Sequence, residues 1–148
     1  GPAERRAALV HDHFLFCVVG AAVREADWAI FALGDGVVSV DGCAQLLGPF
    51  PDNAPPYLGY ALLSGAQTGF EPRIVESGET ATLRSLVLGT DGAADVVTDG
   101  EALREWMEDD RLFANPDLLR RRLWAWDRER PLHDDATLLV LRRARRED

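Results

Sequence analysis

"IFALGDGVVSVDG", residues 30–42, holds two apolar runs separated by Gly34-Asp35-Gly36 and closed by Asp41-Gly42. β-Branched and aromatic residues dominate both runs, so both read as strands. With the residues before it the first becomes DWAIFAL, 27–33, and the second is VVSV, 37–40. Asp-Gly is common turn chemistry, because glycine takes left-handed conformations freely and Asp tolerates them. Asp35 therefore has two readings. It turns the chain between two strands, or it is a carboxylate held at a strand end for chemistry.

Working outward, FLFCVVGAAVR (14–24) predicts a strand buried on both faces, and ERRAALVHD (4–12) the end of a helix. Gly1-Pro2 resemble a protease-cleavage scar and are set aside, leaving one domain over 3–148. Asp41-Gly42 marks a tight turn, and residues 44–47 a short fourth strand. GPFPDNAPPYLGY (48–60) carries four prolines, which exclude a central strand and predict an ordered loop. RIVE (73–76) and LRSLVLGT (83–90) are further strands. GEALREWMEDD (100–110) and PDLLRRRLWAWDRE (116–129) change to helical spacing. Leu103, Trp106 and Met107 share one face, as do Leu118, Leu119, Leu123 and Trp126. Asn115 suits the N-cap of the second helix and Pro116 its first turn. ATLLVLRR (136–143) closes as a strand. Strands, then two helices, then a returning strand predict an α+β fold with mostly antiparallel sheet and the helices covering one face.

The totals narrow the class. The 148 residues are 47% apolar, enough for a core, and no apolar run has the ~20 residues of a membrane span. A net charge of −9 repels phosphate backbones and anionic lipid, which argues against nucleic acid or membrane partners. The basic clusters LRRRLW (119–124) and LRRARRED (141–148) read as solvated charge, Arg120, Arg121 and Arg122 included. Cys17 and Cys43 have no metal-ligand spacing. Cys17 reads as a buried small hydrophobe, and the pair fits a reducing, cytoplasmic setting.

Three apolar strands meet acidic loops. IFAL runs into Gly34-Asp35-Gly36, LVLG runs into Thr90-Asp91-Gly92 with Asp95 beyond, and Asp134-Asp135 precede ATLLVL. If these strands are neighbours, Asp35, Asp91, Asp95 and Asp134 converge, with carboxylates within roughly 10 Å of a common point. Clustered carboxylates repel one another, and a hard divalent cation, Mg²⁺ or Mn²⁺, removes that penalty. Gly36 and Gly92 leave space for backbone or water to approach. Each Asp-Gly also reads as a plain turn, and Asp134-Asp135 as loop punctuation.

VLGTDGAADV followed, two helices later, by HDDATLLVL resembles the C-terminal half of the PP2C-type metal-dependent protein phosphatases. That family runs an apolar strand into Ser/Cys-Asp-Gly with a second Asp four residues after the first, and later has Asp-Asn-x-Thr before its last strand. Asp91 and Asp95 match the first motif, with Thr90 in the Ser position; Asp134 matches the second, with Asp135 in place of Asn. IFALGDGVVSVDG resembles the family's Gly-Asp-Ser strand pair, with Gly36 replacing Ser. The bacterial branch is the nearer likeness, and it covers about residues 14–143. The resemblance implies a β-sandwich flanked by helices. It also implies two-metal hydrolysis of phosphoserine or phosphothreonine esters on a phosphoprotein. Asp91 and Asp134 would hold one metal of the pair, and Asp35, Asp95 and Asp91 a third. The family's opening strands, with the Asp-Gly that bridges its catalytic metals, find no match. The chain is thus expected to be a C-terminal portion with no catalytic residue of its own, pairing with a second copy or a complementing N-terminal fragment. The competing reading is an inactive PP2C-like binding module. Gly36, Asp135 and the unmatched bridging carboxylate favour it.

Other candidates carry less. His11 and His13 flank Asp12 without further ligands nearby, and His133 reads as an exposed loop residue. Trp106, Trp124 and Trp126 read as packing residues. There is no Ser–His–Asp arrangement, P-loop or dinucleotide fingerprint.

Overall fold

The two strands of residues 30–42 do not form a hairpin. β2 (Asp27–Leu33) and β3 (Val37–Val40) are separate strands of separate sheets, so Gly34-Asp35-Gly36 carries the chain from one sheet to the other. The computed structural model describes residues 1–63 and 69–144; the last four residues of the closing basic run lie outside the described part. The fold is α+β, with two antiparallel sheets and helices. Residues divide into two compact units, Gly1–Asp35 with Leu47–Ala81, and Gly36–Leu46 with Thr82–Asp148.

In the first unit, α1 (Pro2–His13) precedes a sheet ordered β1-β2-β5, with β1 at Val18–Val23 and β5 at Arg73–Glu79. α1 begins at Pro2, a residue set aside from the sequence reading. Proline suits a first helical turn, where its missing N–H has no partner in any case. β1 pairs with β2 from Val18↔Leu33 to Val23↔Trp28. Gly20 is required there, because a Cβ would lie 2.4 Å from the ring of Phe31. β1 corrects the expectation of a strand at 14–24 buried on both faces. It is shorter, its first four residues are half-buried, and Ala22 and Val23 are exposed. It is an edge strand, with a partner on one side only among the described residues. The proline-rich loop stays outside both sheets as expected, in two short 3₁₀ turns at Pro51–Asn53 and Leu58–Leu62.

In the second unit the sheet order is β4-β3-β6-β7, with β4 at Cys43–Leu46, β6 at Ser85–Gly89 and β7 at Leu138–Arg142. Asp41 and Gly42, both at positive φ (52° and 88°), make the two-residue turn between β3 and β4. The Asp41 carboxylate also accepts the N–H groups of Arg84 and Ser85 at 2.8 and 2.7 Å, tying that turn to the start of β6. Alternation along the strands sends Val37, Val87, Leu138 and Val140 to one face. There they pack with Ala93, Val97, Leu103 and Met107.

The helical region is more divided than two helices. α2 (Ala94–Thr98), α3 (Gly100–Glu108), α4 (Asp110–Ala114) and α5 (Pro116–Glu129) follow one another. Asp99 caps α3 by accepting the Ala102 N–H, Asp109 caps α4 through the Arg111 N–H, and Asn115 caps α5 through the Asp117 N–H, each at 3.0 Å. The 100–110 run breaks because Asp109 leaves the helical conformation to serve as a cap. α3 buries Leu103, Trp106 and Met107 as its periodicity predicts. Trp126 of α5 meets Trp106 edge to face at 6.2 Å. Trp124 is a correction to its expected packing role: it is 67% exposed. No helix among the described residues is long and apolar enough to cross a membrane.

Candidate functional site

Antiparallel pairing of β6 with β7 places Gly89 opposite Leu138. Thr90–Gly92 and Asp134–Thr137 therefore lie at the same end of the sheet. Thr90 joins them. Its N–H donates to the Thr137 carbonyl at 3.1 Å, and its hydroxyl accepts the Thr137 N–H at 3.0 Å. The same hydroxyl donates to the Asp135 carbonyl at 3.3 Å. Gly92 is buried between the two loops. A Cβ on it would stand 2.5 Å from the Asp135 carbonyl oxygen and 2.7 Å from that of Asp134. Glycine is needed here for close backbone approach.

This packing brings the loops of Asp91 and Asp134 together. Asp91 opens a 3₁₀ turn and its Oδ1 accepts the Gly92 N–H at 3.0 Å; the Asp134 Oδ1 accepts the Asp135 N–H at 2.7 Å. Both residues are exposed, so the remaining carboxylate lone pairs can reach solvent or an ion. Asp95 lies in the first turn of α2, with its carboxylate 3.8 Å from His133 Nε2. His133 is exposed, as the sequence predicts.

Asp35 lies in the other unit, half-buried. Its Oδ1 accepts a hydrogen bond from Cys17 Sγ at 2.7 Å. Gly34, at φ 91°, allows this approach, since a Cβ there would be 2.2 Å from that sulfur. Cys17 is thus not simply a buried hydrophobe: it is half-buried and polar in its contact. Cys17 and Cys43 are both free of disulfides.

The donor chemistry of Asp91, Asp95 and Asp134 is all oxygen, which suits a hard cation such as Mg²⁺ or Mn²⁺. Among the described residues no three His, Cys, Asp or Glu side chains are grouped to hold an ion. The loops offer the Asp91 and Asp134 carboxylates at one sheet end.

A groove of about 810 Å³ opens beside them, with Arg120, Arg121 and Trp124 on its α5 side and His133, Asp134 and Asp135 on its loop side. Asp127 of α5 accepts the Leu132 N–H at 2.9 Å and folds the loop back toward the helix. The sequence carries a signal for this groove that the helical stripe alone misses. Trp124 falls four residues after Arg120 and three after Arg121, on the basic face rather than with Leu119, Leu123 and Trp126.

No protein-family model matches this chain, and no curated protein matches it. Among solved structures, the chain is similar to a bacterial serine phosphatase, crystallised with an arginine-to-alanine substitution. The TM-score is 0.56 and the identity 18%, over 95% of this chain and 62% of that one. The chain thus spans less than two thirds of that protein's length. At this identity the likeness is one of fold: an α+β arrangement of two antiparallel sheets and helices that a serine phosphatase also has.

Proposed function

We propose that this chain is part of a PP2C-like phosphatase domain of the bacterial type, acting in the cytoplasm on phosphoserine or phosphothreonine in a phosphoprotein. The observation that carries the reading is the stitching of Thr90–Gly92 to Asp134–Thr137, which sets Asp91 and Asp134 at one end of a sheet. A fold shared with a serine phosphatase supports it. Asp91 and Asp134 would contribute to holding Mg²⁺ or Mn²⁺. Asp95 is an added candidate beside them, and Asp35 enters through the sequence alone, by its strand-end position and the resemblance. A metal pair in such a site lowers the pKa of bound water and offsets charge on phosphoryl oxygens. The chain's own part is to position carboxylates on rigid strand ends.

The test compares this chain with a longer polypeptide of the same reading frame, using Mn²⁺-dependent hydrolysis of p-nitrophenyl phosphate. The chain alone is expected to turn over negligibly. The longer polypeptide is expected to be active and to lose that activity in Asp91→Asn and Asp134→Asn. A longer polypeptide that is folded and inactive with Mn²⁺ would overturn the enzymatic reading.

The second reading is a non-catalytic binding module. The incomplete carboxylate set among the described residues favours it. In either case the partner surface we propose is a sheet edge: β1 and β5 are edge strands that expose Val23 and Ile74. A second copy of the chain, or a complementing N-terminal fragment, is the expected occupant.

A further inference from the structure

The groove between α5 and the loop before β7 shares Asp134 and its neighbour Asp135 with the loop of the proposed metal site. We infer that its α5 wall, built from Arg120, Arg121 and Trp124, binds an acidic stretch of polypeptide next to the phosphorylated residue. The inference deepens the phosphatase reading, resting on it only for the phosphorylated residue.

Trp124 is 67% exposed, whereas Leu119, Leu123 and Trp126 of the α5 apolar stripe are half-buried, Leu123 also lining the groove. Its indole lies against Arg128, whose guanidinium carbon is 5.6 Å from the ring centroid. An exposed indole fixed beside a cation is a ready surface for a peptide to lie across. Arg121 is exposed and makes no ion pair among the described residues, and Arg120 is only pinned to Asp117 at 3.2 Å. Both guanidinium groups therefore face solvent at the groove with donor capacity in excess of their partners. The α5 wall also carries Asp127, whose Oδ1 accepts the Leu132 N–H at 2.9 Å, and the opposite wall holds His133, Asp134 and Asp135. The groove's cationic donors are thus on the α5 wall, at Arg120 and Arg121, and an acidic segment has that wall to attract it. At about 810 Å³ it has room for several residues of extended peptide.

The net charge of the chain makes the inference discriminating. At −9 the whole-molecule field disfavours acidic peptides. A preference for acidic flanks must come from a local site.

The experiment uses fluorescence anisotropy with this chain and two labelled phosphoserine peptides, one with Asp/Glu on its flanks and one with Lys/Arg, in Mn²⁺ at low and high salt. The acidic peptide is expected to bind ~10-fold or more tightly than the basic one, with the gap closing as salt rises. Arg121→Glu is expected to abolish or reverse the preference, and Trp124→Ala to weaken the acidic peptide ~3- to 10-fold. Both sites are exposed, and circular dichroism melts will show that the variants fold. Arg104→Glu, on an exposed face of α3 outside the groove, makes the same change in net charge and is expected to leave the preference intact. Equal or basic-leaning affinity overturns the inference. So does no binding of either peptide, an Arg121→Glu variant indistinguishable from wild type, or an equal effect of Arg104→Glu. Acid-selective binding by this chain, with no phosphate release by the longer polypeptide in Mn²⁺, supports the groove and counts against the phosphatase reading. Phosphate release by the longer polypeptide without flank selectivity does the reverse.

Discussion

Substituting Gly92 with Ala tests the junction on which the functional reading depends. The added Cβ would lie 2.5 Å from the Asp135 carbonyl oxygen, 2.7 Å from the Asp134 oxygen and 2.9 Å from the Asp134 carbonyl carbon. All three are backbone atoms, so no side chain can rotate away. Restoring an ordinary contact requires the two loops to part by about 0.9 Å, of the order of backbone shifts forced by overpacking. The Thr90 N–H to Thr137 carbonyl distance, now 3.1 Å, would then approach about 4 Å, beyond hydrogen-bond range. Overpacking costs ~1–3 kcal/mol, and each weakened hydrogen bond up to about 1 kcal/mol more. We expect Gly92→Ala to destabilise the chain by ~2–4 kcal/mol, a fall of roughly 5–12 °C in Tm for a chain of this length. The assay is urea and thermal unfolding followed by circular dichroism. Gly100→Ala is the control. Gly100 opens α3 with nothing within 4 Å of an added Cβ, so alanine there is expected to be neutral or to stabilise by ~0.5–1 kcal/mol. A Gly92→Ala variant as stable as Gly100→Ala would refute the reasoning, because the loops would then separate without cost.

Three further outcomes follow from the structure. The Arg111 guanidinium beside Asp109, with help from the Arg111 N–H and from Arg122, holds the Asp109 carboxyl at about 2, down from 3.8. Its stabilising effect is therefore whole above the ordinary value and is lost as pH falls from about 4 to about 2, so Asp109→Asn should lower the urea midpoint at pH 6 and converge with wild type near pH 2. A gap that does not change with pH would refute the assignment. The Ser39 hydroxyl is buried with no hydrogen-bond partner among the described residues, so Ser39→Ala should be neutral or stabilising by up to ~1 kcal/mol in chemical denaturation; a clear loss would mean that the hydroxyl is satisfied. Finally, the exposed Phe14, Phe16, Val23 and Ile74 lie on or beside edge strands β1 and β5, so light scattering at micromolar concentration should show self-association, reduced by Val23→Lys; a monodisperse monomer with fully protected β1 amides would sink this expectation.

The residues of 27–33 and 37–40 announced themselves as strands, and Asn115 as the cap of 116–129, because strand alternation and capping act within a few residues of chain. The same local rules read Leu103, Trp106 and Met107 as one buried face. They could not say that β2 and β3 belong to different sheets, since Gly34-Asp35-Gly36 suits a hairpin as well as a crossing between sheets. Nor could they divide the helical region at Asp109, whose role as a cap competes with continuing the helix. β1 looked buried on both faces because its residues are apolar, whereas face burial depends on what packs above and below the sheet, which no local pattern encodes. Trp124 looked like packing until its helix had a partner on one face only, which left the indole with Arg120 and Arg121 in the groove. The candidate carboxylates show the division most plainly. Sequence marked Asp91 and Asp134 by their turn chemistry, each from its own neighbours. Their union across more than forty residues rests on the β6–β7 register, the two-way bonding of Thr90 with Thr137, and the absence of a Cβ on Gly92. Such long-range contacts come from packing the whole sheet, and only the tertiary structure decides them.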